Sequence, residues 1–259
     1  VPVLAITETF LTVIADPRFA AAAAISILAG AVRGFSGFGS ALIFIPLMSA
    51  VYGPQVAAAT FVTIDLAVGA FFVPRVWRDA DFRQILPLAV SAVTAAQFGA
   101  LILLYADPAA LRWVISVVVG VVVFVLASGW RYYGRPILPV TIGVGLLAGL
   151  MGGALQMSGP PIIVYWLGST AAAAVVRANF IVYFTIFSAA SALTYALRGL
   201  LPPEILTLAL LIGPLQITAM ALGSRLFHLA SEKTYRRVAY AIVALSAIVS
   251  MPLWDTLLR

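Results

Sequence analysis

The 259-residue chain has no cysteine, one histidine, and charged side chains at only 9% of its positions. Without cysteine there is no thiolate catalysis, no iron–sulfur ligation and no disulfide. With His228 alone no metal site is expected, and no nucleotide-binding motif or other cofactor signature is present. So little charge excludes an ordinary soluble domain, where charged residues approach a quarter of the chain. Long polar stretches and strand-like alternation are also missing, so neither a soluble module nor a sheet is expected.

What is there is apolar: 63% hydrophobic residues and a mean hydropathy of +1.12. A helical crossing takes about 20 apolar residues, which leaves room for roughly eight. The expected fold is an all-α integral membrane protein of about eight transmembrane helices in two internal repeats. The first helix of each repeat is broken at a Gly-rich segment. Lys and Arg outnumber Asp and Glu by 15 to 9, a net charge of +6. They lie mainly between apolar runs, where they meet lipid head groups, and no basic stripe carries interleaved aromatics. Membrane lipid is an expected partner and nucleic acid is not. The first dozen residues hold an acid and no basic leader, so no cleavable signal is expected there.

Residues 1–14 place Val3, Ile6, Phe10, Val13 and Ile14 near one helical face before Asp16-Pro17, the pattern of a short helix on the membrane surface. The runs Phe19 to Tyr52 and Ile137 to Leu167 are too long for one straight crossing and carry glycines in their middles, so each should break. Val56 to Val73, Ile85 to Tyr105, Leu111 to Trp130, Val176 to Leu197, Ile205 to Leu226 and Tyr235 to Trp254 read as ordinary spans. Trp130, Tyr132 and Tyr133 form an interfacial aromatic belt beside Arg131 and Arg135.

Sliding the chain on itself by 115 positions superposes Gly30, Gly34 and Gly37 on Gly145, Gly149 and Gly152, Pro46 on Pro161 and Pro87 on Pro202. Because Gly and Pro set backbone geometry, this shared punctuation indicates a duplication. The chain divides into an interfacial segment (1–18), a first transmembrane repeat (19–133) and a second (134–259), one membrane domain overall. Four spans per half give halves of equal orientation. A broken segment that turns back instead of crossing changes both the count and that relation. With eight crossings the side holding the termini carries eight basic residues against six, a weak preference for cytoplasmic termini.

Unwound backbone at membrane depth persists only where protein or a wet cavity satisfies it. Half-helix N-termini at such breaks offer free N–H donors and partial positive charge, which suits an anion. Gly30, Gly34, Gly145 and Gly149 fit close helix packing better. Ser36, Gly37, Gly39, Gln156, Ser158 and Gly159 fit the site, because polar side chains accompany the break. Arg33 can hold an oxyanion through its guanidinium fork or pair with Asp65. Arg177, with Asn179, can bind substrate or anchor the sixth span at the interface. Asp65 can be a static counter-ion or carry a coupling proton. Gln97 and Gln216 each bury an amide, for which interhelical bonding is the commoner role.

The segments Gly30-x-x-x-Gly34-Phe-Ser-Gly37-Phe-Gly39…Pro46 and Gly145-x-x-x-Gly149-Leu-Met-Gly152-Gly153…Ser158-Gly159-Pro160-Pro161 resemble the TauE/SafE sulfite exporters of the toluene-sulfonate-uptake permease group. The likeness covers about residues 19 to 255. It implies anion transport across the bacterial inner membrane, with sulfite, sulfoacetate, thiosulfate and other organosulfur anions among the cargoes. It also implies that the two Gly-rich segments meet at the transport site. Gln156-Met157-Ser158 departs from the further glycines of many members, and Arg33 has no basic counterpart at Ala148.

The expected function is therefore a secondary transporter, an exporter of a small sulfur-containing anion, working by alternating access with the site between two repeats. It is not expected to be an enzyme. Expected partners are the anion, a coupling proton and a second copy of the chain as homo-oligomer. A passive anion channel is the alternative. Gly34-Phe-Ser36-Gly37 also spells the Gly-x-Ser-Gly string of intramembrane serine proteases, but the only His lies at a span end beside Arg and Lys.

Overall fold

A computed structural model describes residues 2–36, 39–129, 137–167, 171–226 and 232–253. Within them the side chains of 2–6, 35, 36, 126, 167, 173, 226 and 232–240 are not described. The belt at 130–135, Gly37, the Ser36 side chain and His228 thus lie outside the described residues.

The described chain is built of helices: α1 (Pro2–Ala15), α2 (Phe19–Ser36), α3 (Ser40–Tyr52), α4 (Pro54–Val76), α5 (Phe82–Tyr105), α6 (Pro108–Ser128), α7 (Leu138–Leu155), α8 (Gly159–Leu167), α9 (Ala173–Leu197), α10 (Pro203–Leu226) and α11 (Glu232–Val249). Prolines open α4, α6 and α10, where a missing N–H costs nothing. Asp81 caps α5, its carboxylate accepting the Arg83 N–H at 3.0 Å and the Gln84 amide at 2.8 Å.

Six helices are long and apolar enough to cross a membrane, or seven if the pair Thr7–Ala15 and Phe19–Gly34, bent by 84°, is one span. The sequence leads one to expect about eight. The difference lies in the halves of the broken segments, since α3 has 13 residues and α8 only 9. It lies also in α11, whose first two turns hold Glu232, Lys233, Arg236 and Arg237. Those basic residues, loop-like by composition, are helical. At the 84° bend, the exposed Arg18 grips Asp16 through two nitrogens, at 3.0 and 2.8 Å, and lies over the Tyr52 ring. Hydrogen bonds from Arg18 hold the Asp16 carboxyl below its ordinary range.

Two compact units share the chain. One comprises Val1–Phe61, Asp107–Val123 and Gly199–Arg259, the other Val62–Ala106 and Phe124–Arg198. Neither is a contiguous half of the sequence.

In the second unit, α5 and α7 run parallel in close contact. A Cβ on Gly149 would strike the Ala92 carbonyl oxygen, one on Gly153 that of Ala96, and one on Gly99 that of Leu150. Asp81 meets Asn179 and Gln97 meets Thr194, so α9 runs parallel to α5. Asp65 meets Ser188, and a Cβ on Gly69 would meet Thr185, so α4 runs antiparallel to α9. The Thr141 and Tyr165 hydroxyls lie 2.6 Å apart. A helix rises about 1.5 Å per residue, so Tyr165 reaches Thr141 only if α8 folds back along α7. Hence 138–167 is a hairpin, not a broken crossing.

In the first unit α2 and α10 are likewise parallel. Here Gly30 abuts the Gln216 carbonyl, Gly34 that of Met220 and Gly223 that of Ala31. Arg112 near the start of α6 donates to the Ser250 carbonyl just past the end of α11. The two seams therefore match: Gly30, Gly34 and Gly223 do for α2 and α10 what Gly149, Gly153 and Gly99 do for α7 and α5. Phe19 to Leu138, Ser36 to Leu155, Ser40 to Gly159 and Pro54 to Ala173 are one and the same step, 119 residues (138 minus 19). The offset expected from sequence is 115, four residues fewer than this step.

Candidate functional site

The second break is narrower than the glycines suggest. Gly152 and Gly153 remain helical, and α7 ends at Leu155. Gln156 turns the chain with φ 52 and ψ 29, the one non-glycine among the described residues with positive φ. Two buried bonds hold it: Gln156 Nε2 donates to the Tyr195 hydroxyl at 3.0 Å, and that hydroxyl donates to the Gly153 carbonyl at 2.8 Å. Met157 and Ser158 complete the turn, both buried. Gly152 lacks a side chain because the Phe187 ring and Ser158 Cβ fill that space. Gly159 opens α8 with ordinary room around it, so nothing about its surroundings demands glycine.

The first break differs in chemistry. Gly39, with φ 93, precedes α3, and no side chain caps the helix. Arg33 in the last turn of α2 reaches across the gap, its guanidinium 3.4 Å from the buried Ser40 hydroxyl. The first-turn residues Ser40 and Ala41 keep their N–H groups, whereas Pro160 and Pro161 delete two of the four donors that would open α8. So the first break offers a cation and main-chain donors, and the second offers the Gln156 and Ser158 side chains.

Asp65 is buried in the second unit and accepts from the Ser188 hydroxyl at 2.7 Å. Ser188 follows Phe187, whose ring covers Gly152, so Asp65 stands level with the second break. Gln97 donates to Thr194 at 2.9 Å, the interhelical role expected of it. Gln216 accepts from Ser26 at 3.3 Å, while its amide nitrogen has no partner.

Arg177 and Asn179 are not at the break. Arg177 is exposed, and Asn179 is buried further along α9, accepting the Asp81 N–H at 2.8 Å. Tyr165, Tyr183 and Tyr195, tyrosines that could supply hydroxyls to a cavity, are all buried. Sequence reading missed Trp166, a fully buried aromatic whose indole nitrogen lacks a partner. An unpaired polar atom in a dry site costs about 1–3 kcal/mol, so such an atom requires an explanation.

These features define a multi-pass helical membrane protein in which the hairpin of α7 and α8 turns at a buried polar segment. The family described as "Sulfite exporter TauE/SafE" matches residues 22–250, and the chain belongs to it. It is a membrane transporter family, not an enzyme family, and the chain is a multi-pass protein of the bacterial inner membrane. A relative in Cupriavidus necator, described as "Probable sulfite/organosulfonate exporter TauE", is 25% identical over 225 residues, covering 84% of this chain and 88% of that protein. No solved structure matches the chain.

Proposed function

We propose that this chain is a secondary transporter that exports a small sulfur-containing anion such as sulfite or sulfoacetate by alternating access. The observation that carries the reading is the pair of breaks at one register, the first with Arg33 at the open N-terminus of α3. Main-chain N–H groups and a guanidinium fork suit an oxyanion. The C. necator relative's description supplies the cargo class. On this reading the candidate binding groups are Arg33, Ser36, Gly37 and Gly39 at the first break and Gln156, Ser158 and Gly159 at the second.

The two sequence halves are inverted repeats. The equivalent helices α4 and α9 run antiparallel, which two repeats of equal orientation would not give. Each half then has one returning hairpin and three crossings. In that arrangement Arg75, Arg78, Arg83, Arg177, Arg225, Lys233, Arg236 and Arg237 lie on one side, against Arg18, Arg112 and Arg198 on the other. The strong imbalance puts the first group in the cytoplasm and both termini outside, reversing the weak preference drawn from eight crossings. Asp65, level with the second break, carries the coupling proton.

The test is flux in liposomes. Purified protein should give saturable movement of labelled sulfite, competed by sulfoacetate and responsive to an imposed ion gradient. No flux, or unitary channel currents, would contradict the reading.

A further inference from the structure

Three membrane spans of the second unit end at one exposed corner. The span of α4 runs out through a single 3-10 turn, Trp77–Asp79, and α5 starts at Phe82. The Asn179 side-chain oxygen, near the start of α9, takes the Asp81 N–H at 2.8 Å. The Trp77 and Phe82 rings lie against each other, with centroids 4.6 Å apart, which brings the residues that follow them, Arg78 and Arg83, to the same corner. Arg75 comes from the last turn of α4, and Arg177 stands two residues before Asn179. All four arginines are exposed, and among the described residues no carboxylate forms an ion pair with any of them.

The acids of the corner do not cancel this charge. Asp81 is committed to the cap of α5, accepting the Arg83 N–H at 3.0 Å and the Gln84 amide at 2.8 Å, which leaves Asp79 as the exposed carboxylate. Four arginines against two aspartates give a surplus of two positive charges. Such a surplus at a membrane surface favours a headgroup with a bare phosphodiester over one that carries its own ammonium. The corner is also apolar where it meets the span. Phe71 is 60% and Trp77 53% exposed. The Arg75 guanidinium folds back over the Phe71 ring, 4.0 Å from its centre, and donates to the Phe71 carbonyl. Bare rings give a soluble anion nothing to gain. A lipid uses both parts, its phosphate against the guanidinium groups and its glycerol and upper acyl chain against the rings.

We propose that the corner built by Trp77, Arg78, Arg83 and Arg177, with Arg75 over Phe71, binds the headgroup of an anionic phospholipid. The inference needs only the membrane-spanning fold and is independent of the cargo. A lipid held there touches the ends of α4, α5 and α9 at once and ties them together.

The experiment measures binding of dihexanoyl phosphatidylglycerol and dihexanoyl phosphatidylcholine to the purified full chain in a neutral detergent by native mass spectrometry. Wild type should bind the glycerol lipid at least tenfold more tightly than the choline lipid. Arg78→Gln combined with Arg83→Gln should weaken the glycerol lipid about tenfold or more. The lipid-free melting temperature should stay unchanged, because both side chains are exposed and the Arg83 N–H that caps α5 is kept. Asp79→Asn should tighten binding. Arg225→Gln, which removes an exposed arginine of the first unit, should leave it intact. Equal affinity for the two lipids, or wild-type affinity in the double variant, overturns the site. So does an Arg225→Gln protein weakened as much as the double variant, the mark of diffuse surface charge. Weaker binding in Asp79→Asn overturns it as well. Displacement of the lipid by inorganic phosphate at equal concentration, or unchanged affinity in Trp77→Ala, would make the corner a site for free anions and overturn the lipid assignment.

Discussion

Tyr195 holds Gln156 in a left-handed backbone conformation, its hydroxyl 3.0 Å from the Gln156 amide nitrogen and 2.8 Å from the Gly153 carbonyl oxygen. That conformation costs a non-glycine residue about 1–2 kcal/mol, which two buried hydrogen bonds offset. The turn between α7 and α8 is thus fixed from α9.

Removing the Tyr195 hydroxyl should expose that cost. Tyr195→Phe is expected to lower stability by about 1–3 kcal/mol and to loosen the turn. Gln156→Gly regains the conformational cost while losing one bond, so its stability should stay within about 1 kcal/mol of wild type. Thermal melts of both variants in one detergent check this. A Tyr195→Phe protein as stable as wild type would mean the hydroxyl holds nothing.

The glycines divide into two classes that melting can separate. Gly149 faces the Ala92 carbonyl with no room for a methyl group, so Gly149→Ala must push α5 and α7 apart. It should cost several kcal/mol or abolish folding, as overpacking of a close seam does. Gly120, in the middle of α6, has nothing within 4 Å of a built Cβ. Gly120→Ala should be neutral or gain roughly 0.5–1 kcal/mol from helix propensity.

Composition and apolar runs made the helices legible, and the two long runs with central glycines located both breaks. The register was not legible, for a physical reason. Gly145, Gly149 and Gly153 form a seam with a period of one turn, so a slip of four residues still overlays two glycines of the pair Gly30 and Gly34. The carbonyls they touch, Ala92 and Ala96 against Gln216 and Met220, pair Gly149 with Gly30 and Gly153 with Gly34. Nor could the sequence show the return of α8, since hydropathy carries no direction and the Thr141–Tyr165 pair spans the whole hairpin. At the site, the polar breaks stood out as residue types. Asn179 reads as a binding candidate beside Arg177, and that its oxygen takes the Asp81 N–H at the start of α5 is visible only once Asp81 is seen against it.

The absence of cysteine makes the proposed topology directly testable with single introduced thiols. Asp79, Asp107 and Glu204 are exposed between helices or at a helix start. With inverted halves, Asp107→Cys and Glu204→Cys should react with an impermeant maleimide from the outside, and Asp79→Cys only after lysis. With eight crossings, Asp107→Cys and Glu204→Cys would label from opposite sides.

The proposed proton coupling assigns the carrier to Asp65, which accepts from Ser188 level with the second break. Asp65→Asn keeps the shape and removes the titration, so it should abolish the dependence of sulfite flux on an imposed pH gradient while exchange of sulfite across the membrane survives. Net flux that keeps its full pH-gradient dependence in Asp65→Asn would assign coupling elsewhere.

The most direct measurement is sulfite flux through Arg33→Gln in liposomes at matched protein content, with melting temperature recorded alongside. A guanidinium at the open end of α3 that binds the cargo should be worth about tenfold or more in apparent affinity, with the fold intact. A folded Arg33→Gln that moves sulfite with wild-type affinity and rate would contradict the assignment of the first break as the charged half of the transport site.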